Sequence, residues 1–587
     1  MRLASFTIGS DREGERQRFK NLKNVTIDFE EQQWITLVIG WNGTGKSNAL
    51  EALAVLFRDL IMGKNDKGEK DKPSFAYTLR YFCHHKEIEI SADPDRTKDA
   101  YLVSYRDLSK HKNDAKLQAD LLSALTDEPT LAALKFNEFK KRQDEFLPKY
   151  VFGYYSGHSD RLQSVFRPYL QQYDKKLRNS KSEDPGLRRL FYALPVHSQF
   201  VLLAFVLNQD DLVRRFLDTQ LGLETDENAE SIDSVLLELN EPSWNLNKSK
   251  DPKGTYGACK DMPDIFWGAE GVVRDFLNRV HKVATAPIKI SRKDDATLWN
   301  KKGREYLYMF IKDINKLTEL VGDQEPREFF RDLESTYVSE LISEVRIRVK
   351  LKKNDGSVTF RELSEGEQQL LTVLGLLRFT AEDESLFLLD EPDTHLNPKW
   401  SVDYIDYLNK FVTSGSKGEN NSHIVLTTHN PIAIAELTRD QVQILSRDDE
   451  TRTIESHKPN FDPRGMGYAG IITSDMFGLA TSVDSYTEAL LERKRQITAK
   501  DEPLSITEKA DLQSINLELE NLGFRFSNRD RVFEEYLRAR YEFDSRAESK
   551  QKIDQLPSDE KRAASKKLIQ QVLAKLKKES GEEDEKN

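Results

Sequence analysis

Apolar residues near the start of the chain form two blocks followed by a periodic stretch. FKNLKNVTIDFE (19–30) predicts one strand, and the nearly continuous apolar run WITLVIG (34–40) predicts a second strand of the buried, parallel type. From Lys46 to about Met62 the apolar residues repeat at helical spacing. Residues 41–45 are therefore expected to join a buried strand to a helix.

The pattern from 61 to about 330 is more polar and predicts a mainly helical insertion, together with strands of the main domain such as YVFGYYSG (150–157). We expect this insertion to have a small core of its own. Its most apolar part, RLFYALPVHSQFVLLAFVL (189–207), predicts a buried helix.

A hairpin is predicted at EVRIRVKLKKNDGSVTF (344–360), where apolar and basic residues alternate and Asn-Asp-Gly supplies the turn. One face of the hairpin is apolar, and the other carries Arg346, Arg348 and Lys350. The basic face fits either an ordinary solvated surface or a contact with nucleic acid or another partner.

Further apolar strands are predicted at 385–390, 423–429 and 441–446, with helical stretches between them. This alternation is typical of a layered α/β domain. We therefore predict an α/β head whose first part is 1–60 and whose second part is 331–460. The insertion (61–330) divides the two parts, and a helical C-terminal extension (461–587) follows them.

The C-terminal extension is highly charged and carries clear helix signals. Ser505 and Glu508 predict a capping box, and Gly523 is placed to end the helix. The apolar residues between them follow a 3-4-3 spacing: Leu512, Ile515, Leu519 and Leu522. This helix should pack against its own chain or against a partner protein, and the final KKESGEEDEKN predicts a disordered tail.

The composition describes a folded protein with a heavily charged surface, since 38% of the 587 residues are hydrophobic and 32% are charged. The longest apolar run, 200–207, is far shorter than the roughly 20 residues that span a bilayer. The first residues lack the apolar segment of a secretory signal. With two cysteines and a net charge of −11, we expect a cytoplasmic protein without disulfides, in which any DNA contact is regional.

Candidate chemistry begins at GWNGTGKS (40–47), which fits the phosphate-loop (Walker A) pattern G-x-x-x-x-G-K-[ST]. Backbone N–H groups of such a loop surround phosphate oxygens, its lysine adds positive charge, and its hydroxyl ligates Mg²⁺. The sequence therefore predicts ATP and Mg²⁺, with Ser47 as a metal ligand. The predicted nucleotide-binding residues of this segment are Gly40, Asn42, Gly43, Thr44, Gly45, Lys46, Ser47 and Asn48.

Two further segments place polar groups at the ends of apolar strands. In LFLLDEPDTHLNP (386–398), Asp390 is expected to complete the Mg²⁺ shell and Glu391 to polarise the attacking water. In IVLTTHNP (424–431), a strand predicted to end at His429 places an imidazole where it can bind the γ-phosphate or the water. Glu391 and His429 are the predicted catalytic residues.

These segments, with LSEGEQQ (363–369), occur in the order found in ABC-type ATPase heads of the SMC and RecF class, which the chain resembles. The resemblance implies a head-to-tail homodimer, or a higher oligomer built from it. In such a dimer, Ser364, Gly366 and Glu367 of one subunit close on the γ-phosphate held by the other. The glutamine of the family's Q-loop is not assigned, because the first glutamine after 150–157 is Gln163.

Transporter ATPases share several of these motifs but fit the chain less well. Ser364 lies about 320 residues after Lys46, far more than the short spacing of transporter heads. Glu365 also stands where those heads usually carry glycine.

Several shorter stretches extend the resemblance over most of the chain: FKNLKNVTIDF, YYSGHSDRL, LFYALPVHSQFVLLA, FWGAEG and SDMFGLATSVD. They resemble stand-alone RecF-like, AAA-family ATPases of bacterial antiphage defence and restriction loci, those of Septu and retron systems among them. Such ATPases work with a separately encoded nuclease, and we recognise no nuclease motif after His429. The resemblance therefore implies an ATPase that controls a separate effector.

Two other functions stay open on the sequence. One is a RecF- or SMC-like ATPase of DNA repair or restriction that binds DNA, which predicts steeply salt-dependent DNA binding carried in part by Arg346, Arg348 and Lys350. The other is a scaffold that binds ATP without turnover, against which the intact pair of Asp390 and Glu391 argues.

Overall fold

The computed structural model describes most of the chain, and every structural statement below concerns the residues that it describes. These are 1–108, 131–157, 159–177, 186–207, 209–224, 231–248, 265–295, 301–352, 357–380, 384–414, 422–448, 451–479, 481–499, 504–522, 536, 539 and 558–579. The chain divides into two compact units. The first comprises Met1–Ala433 and Leu445–Ser456, and the second comprises Ile434–Ile444 and His457–Asn587.

The strands of the described residues form three sheets. Their bounds are β1 Arg2–Ile8, β2 Val25–Asp28, β3 Ile35–Gly40, β4 Tyr77–Cys83, β5 Lys86–Ala92, β6 Tyr101–Asp107, β7 Ala132–Leu134, β8 Tyr150–Tyr155, β9 Leu190–Tyr192, β10 Ile232–Asn240, β11 Thr285–Asp295, β12 Lys301–Ile311, β13 Ile342–Lys350, β14 Ser357–Thr359, β15 Ser385–Asp390, β16 Ser422–Thr427, β17 Val442–Arg447 and β18 Ile454–His457. The sheet orders are β2-β1-β4-β5-β6-β7, β11-β12-β10-β13-β14 and β18-β17-β3-β16-β15-β8-β9.

The α-helices connect and cover these sheets. Their bounds are α1 Lys46–Met62, α2 Phe136–Lys141, α3 Gln143–Phe146, α4 Arg161–Leu177, α5 Val196–Leu207, α6 Asp211–Thr219, α7 Ser243–Lys248, α8 Gly271–Val283, α9 Ile314–Val321, α10 Pro326–Val338, α11 Glu365–Thr380, α12 Pro398–Ser414, α13 Pro431–Ile434, α14 Gly467–Thr473, α15 Ser485–Thr498, α16 Ile506–Asn521 and α17 Ser558–Glu579. Short 3₁₀ turns lie at Glu15–Gln17, Phe360–Glu362 and Arg439–Gln441. Within the described ranges, none of the helices has the length and apolar character needed to cross a bilayer.

The centre of the seven-stranded sheet is parallel, as the continuous apolar runs predict. β15 lies between β16 and β8, and β16 pairs in turn with β3. In this register Asp390 stands opposite Thr427 on one side and Tyr155 on the other. The carboxyl ends of these strands therefore meet at one edge, which is where ligands bind in open parallel sheets.

The predicted helix after the phosphate loop is confirmed, since α1 runs from Lys46 to Met62. Most of its side chains are buried in a core shared with the six-stranded sheet and with α4. The helix ends at Gly63, whose φ of 64° is the left-handed conformation of a glycine cap.

The region 61–330 differs from the mainly helical insertion that the sequence suggests. It holds β4–β7 of the six-stranded sheet and β10–β12 of the five-stranded sheet, as well as helices. In β4 every second residue is buried, while Arg80 on the other face donates to Glu87 of β5 at 2.7 Å. Charged residues paired across strands made this stretch look too polar for a sheet.

Several predicted element ends also need correction. The strand expected over 19–30 is only β2, because Phe19 and Leu22 form an isolated bridge that closes a tight turn. β16 ends at Thr427, two residues before His429. The helix α17 reaches Glu579, so the first three residues of the expected tail are helical. Gly523 and residues 580–587 lie outside the described residues.

The antiparallel pairing of β13 with β14 confirms the two strands of the predicted hairpin at 344–360, whereas its predicted turn at 354–356 lies outside the described residues. The apolar face of β13 is buried, through Val345, Ile347 and Val349. On the basic face, Arg346 lies 3.0 Å from Glu344 and 3.4 Å from Glu238, which is buried. Part of the positive charge expected on this face is therefore neutralised within the sheet.

In the second unit, α15 and α16 pack through a small apolar cluster of Ile497, Ile515 and Leu519. The predicted capping box is confirmed: the side chain of Ser505 accepts from Glu508 N at 3.2 Å and donates to the Glu508 carboxylate at 2.8 Å.

Candidate active site

The phosphate loop leaves β3 at Gly40 and enters α1 at Lys46 in a shape that requires glycine. Gly40 and Gly45 have φ values of 147° and 96°, which side chains rarely adopt. A Cβ at Gly45 would lie 2.6 Å from the side chain of Leu22, and one at Gly40 would lie 2.2 Å from Leu445 O. The tight turn at 19–22 and the neighbouring strand therefore press directly on the loop.

The lysine of the loop folds back over its own backbone. Lys46 Nζ donates to Gly40 O at 2.8 Å and to Trp41 O at 3.3 Å. Burial lowers the pKa of Lys46, and the nearby charges of Glu391 and Asp390 oppose that shift. The ammonium thus lies inside the curve of the loop, where it can exchange these carbonyls for phosphate oxygens.

Side-chain hydrogen bonds brace the rest of the loop. Asn48 Nδ2 donates to Asn21 Oδ1 at 2.6 Å, and Asn21 Nδ2 donates to Gly43 O at 2.9 Å. Thr44 Oγ1 donates to the backbone oxygen of Trp41 at 2.8 Å. At the tip, Trp41, Asn42 and Gly43 are exposed, so a ligand can approach from solvent.

Ser47 and Asp390, the two predicted metal ligands, lie together. Ser47 Oγ donates to Asp390 Oδ1 at 2.9 Å, and Thr427 Oγ1 donates to the same oxygen. Burial raises the pKa of Asp390, although both hydroxyls and the charges of Arg161 and Lys46 oppose the shift. A divalent cation between Ser47 and Asp390 would replace a hydroxyl donor with a stronger positive charge.

Glu391 and His429, the predicted catalytic residues, are also brought together. Glu391 Oε1 lies 3.1 Å from His429 Nε2. The chain turns sharply here, because Glu391 has a φ of 54°, a conformation that costs about 1–3 kcal/mol for a residue other than glycine. The turn is held by Glu391 N, which donates to Thr427 O at 3.1 Å.

Burial raises the pKa values of the acidic side chains at this edge of the sheet. Burial, and then the charges of Asp390 and Asp393, raise the pKa of Glu391 to about 7. Burial also raises the pKa of Asp393, whose carboxylate accepts from Thr428 Oγ1 at 2.8 Å. Burial and the charge of Lys46 lower the pKa of His429. A carboxyl group that titrates near neutral pH beside a neutral imidazole is suited to accept a proton from water.

These residues fit ATP with Mg²⁺. Mg²⁺ favours oxygen ligands and is usually held by one or two protein oxygens together with phosphate oxygens and waters. Ser47 and Asp390 present such oxygens, and Lys46 presents a positive charge between them and the loop backbone.

The polar groups of the signature turn, residues 364–367, are hydrogen-bonded to one another at the start of α11. Ser364 N and Oγ donate to Glu367 Oε2 at 2.6 and 2.8 Å, and Glu367 N donates to Ser364 Oγ at 3.3 Å, which is a capping box for α11. A Cβ at Gly366 would lie 2.6 Å from His395 O. Of the predicted phosphate contacts, Ser364 is exposed at the helix start and Gly366 is buried, while the carboxylate of Glu367 serves the cap.

Sequence reasoning missed several polar groups that support the edge. The buried Gln369 donates to Glu391 O at 3.5 Å and accepts from His395 N at 3.3 Å, which links the signature helix to the acidic turn. Thr427, Asn21 and Arg161 were likewise not predicted. Their signal is weak, because each acts through a partner far away in the sequence. No hydrogen bond joins Gln163 to the site within the part of the chain that the structure describes, and the Q-loop glutamine stays unassigned.

Comparison with known proteins bears on this geometry. A family model described as an AAA ATPase domain matches residues 17–434. The chain is 21% identical over 436 residues to the Retron Vc95 probable ATPase of Vibrio cholerae serotype O1 biovar El Tor, an alignment that covers 70% of this chain and 68% of that protein.

Two further relatives match shorter stretches. The Septu protein PtuA of Bacillus mycoides (strain KBAB4) is 24% identical over 135 residues, which are 22% of this chain and 18% of that protein. The probable peptide export ATP-binding protein YydI of Bacillus subtilis (strain 168) is 27% identical over 127 residues, which are 20% of this chain and 57% of that protein.

Proposed function

The chain belongs to the AAA ATPase domain family, and from this premise we propose that it is a Mg²⁺-dependent ATPase that dimerises on ATP and controls a separately encoded effector. The observation that carries the proposal is the convergence at one sheet edge: Lys46 in the phosphate loop, Ser47 within 2.9 Å of Asp390, and Glu391 within 3.1 Å of His429. These are a phosphate cradle, a cation site and a base in adjoining positions.

Lys46 and the loop N–H groups hold the β- and γ-phosphates. Glu391 accepts a proton from the water whose oxygen attacks the γ-phosphorus, and His429 holds the Glu391 carboxylate in place. The bond between the γ-phosphorus and the β–γ bridging oxygen breaks, which releases ADP and phosphate. Ser47 and Asp390 would hold Mg²⁺, which would neutralise part of the phosphate charge.

We further propose that two ABC/SMC-type heads close on ATP, with Ser364 and Gly366 of one copy against the γ-phosphate bound by the other. The support is that Ser364 is exposed directly before the first residue of α11, so the N-terminal end of this helix can attract an anion. ATP would then join two surfaces that attract each other only weakly without it.

The proposed setting is a bacterial antiphage defence system, and the proposed effector is a nuclease encoded by another gene. Support comes from the relatives named a retron ATPase and a Septu protein, the first of which aligns with 70% of this chain. The export protein aligns with only 20% of the chain, and Ser364 follows the phosphate loop at a distance unlike that of transporters. Transport is therefore not proposed.

The alternative of a DNA-repair or restriction ATPase that binds DNA has less support. Its main sequence feature was the basic face of β13, and Arg346 on that face is paired with Glu344 and Glu238. DNA affinity that fell after charge reversal at Arg346 or Arg348 would restore this alternative.

The ATPase assignment is tested by phosphate release from purified protein. Glu391→Gln should lower turnover about 10²–10³-fold while ATP binding stays within about threefold, because the base is lost but the cradle remains. Lys46→Ala should instead weaken ATP binding by at least about tenfold, because the charge at the phosphates is lost. Turnover in the Glu391→Gln protein equal to that of the wild type would refute the assignment.

The effector assignment is tested by affinity purification from cells that carry the native locus. The Glu391→Gln protein, held in its ATP state, should retain a specific partner more strongly than wild type, and the Lys46→Ala protein should retain less of it. If the same proteins are recovered with both variants, nucleotide does not control the partner, and this part of the proposal fails while the ATPase assignment stands.

A further inference from the structure

The segment that leaves β8 runs directly beside the acidic edge. Tyr155, the last residue of β8, stands opposite Asp390 in the register of β15. The next residue continues this contact, since Ser156 N donates to Asp390 O at 3.3 Å and Ser156 Oγ lies 3.1 Å from Thr394 Oγ1. Whatever follows Ser156 therefore starts next to the proposed cation and water positions.

The chain then enters α4 at Arg161, and the backbone of this residue is firmly placed. Arg161 N donates to Ser159 Oγ at 3.3 Å. One turn further along, α4 lies very close to β8, because a Cβ at Gly153 would be 2.8 Å from the ring of Phe166. Leu162 and Phe166 are buried in the core that also contains much of α1. Arg161 is thus an exposed residue on a fixed helix start.

The guanidinium of Arg161 points to the phosphate-loop helix. Arg161 Nη1 donates to Asn48 Oδ1, one residue after Ser47, across a long distance of 3.4 Å. Within the described chain, Arg161 is not joined to a carboxylate by an ion pair. A hydrogen bond of this length is weak, so the guanidinium can turn to a better acceptor at small cost.

The position of Arg161 suits a bound nucleotide, because its partner Asn48 directly follows Ser47 in the first turn of α1. ATP would bring several negative charges into the same space, and one Mg²⁺ with Lys46 leaves part of them uncompensated.

We propose that Arg161 binds the terminal phosphate of ATP in its own subunit, so that it stabilises the negative charge that develops during hydrolysis. The planar guanidinium with its five donors suits bidentate binding of phosphate oxygens. This role rests on the proposed ATPase function.

The test compares Arg161→Ala and Arg161→Lys with Arg167→Ala. Arg167 is a matched control because it lies on the same helix, is 57% exposed and pairs with Asp160 at 3.9 Å among the described residues. Turnover is followed by phosphate release, and binding of fluorescent ATP and ADP analogues is measured with Mg²⁺. Arg161→Ala should lower kcat about 10²-fold and weaken ATP about tenfold, with ADP affinity unchanged. Arg161→Lys should recover only part of the loss, and Arg167→Ala should match wild type.

The two readouts separate this proposal from the ATPase assignment. If wild type does not hydrolyse ATP, the assignment fails, and Arg161 is still judged by the difference between ATP and ADP binding. The proposal is overturned if Arg161→Ala keeps kcat within twofold, if it weakens ATP and ADP equally, or if Arg167→Ala shows the same losses. Melting temperatures equal to wild type would confirm that the exposed substitutions leave the fold intact.

Discussion

The phosphate-loop half of the candidate site, residues 40–48 with Asp390, Glu391 and His429, differs sharply from the signature turn at 364–367. In the first, burial raises the pKa values of Asp390 and Glu391, the charge of Asp390 adds to the rise at Glu391, and Glu391 holds a strained backbone angle. In the second, Ser364 and Glu367 satisfy each other in a relaxed capping box. In the free protein, electrostatic stress, meaning the burial of carboxyl groups close together, is therefore confined to the phosphate-loop half, whereas the polar groups of the signature turn are paired with each other.

A second capping box in the same chain shows what this difference means. Ser505 and Glu508 at the start of α16 repeat the hydrogen bonds of Ser364 and Glu367 almost atom for atom. Local geometry alone therefore gives the signature turn no special role. What distinguishes it is its place, since Gly366 packs against His395 in the acidic loop, and Gln369 of the same helix reaches Glu391.

The largest expected effect comes from placing a large cation at the signature turn. Ser364→Arg, made in the Glu391→Gln background to preserve ATP, should abolish the ATP-dependent dimer, because the added side chain fills the surface that closes on the other subunit. ATP binding by the single chain should stay within about threefold, because the phosphate loop is untouched. Light scattering after size-exclusion chromatography, with and without Mg-ATP, measures the dimer.

Ser505→Arg is the matched control, since it removes an equivalent cap at a similar cost of about 1 kcal/mol. It should leave the ATP-dependent dimer unchanged. Equal dimerisation by the Ser364→Arg protein and its parent would mean that 364–367 is only a helix start, and equal loss in both variants would point to general destabilisation.

Much of the fold that surrounds the site could be predicted from local pattern. The apolar spacing predicted both ends of α1, because such spacing specifies a helix without distant partners. The buried parallel strands followed from continuous apolar runs. The sheet formed by β4–β7 was missed because its charged residues made the sequence look too polar for a sheet. In the fold, Arg80 and Arg106 pair with Glu87 across strands, and their charges are neutralised.

In the candidate site, too, local patterns predicted some residues and not others. Sequence motifs identified Lys46, Asp390 and Glu391, because phosphate and cation chemistry restricts residue type within a short stretch. Arg161 and Gln369 could not be found in this way. Arg161 meets Asn48 only after α4 has packed beside α1, and Gln369 meets Glu391 only after the signature helix has docked on the acidic turn.

A smaller effect should reveal the electrostatic stress of the phosphate-loop half. Glu391 has its pKa raised from 4.5 to about 7, so between these values the folded protein binds more protons at Glu391 than the unfolded chain does. The free energy of unfolding should therefore fall as pH rises through this interval.

Glu391→Gln removes that loss and should stabilise the nucleotide-free protein by about 1–2 kcal/mol near pH 8, with little effect near pH 5. Thermal melts at both pH values should show a rise of roughly 1–3 °C at pH 8 only. Glu367→Gln in the signature turn, where glutamine can still complete the capping box, should change neither melt, and an equal rise in both variants would show that the stress is not specific to the phosphate-loop half.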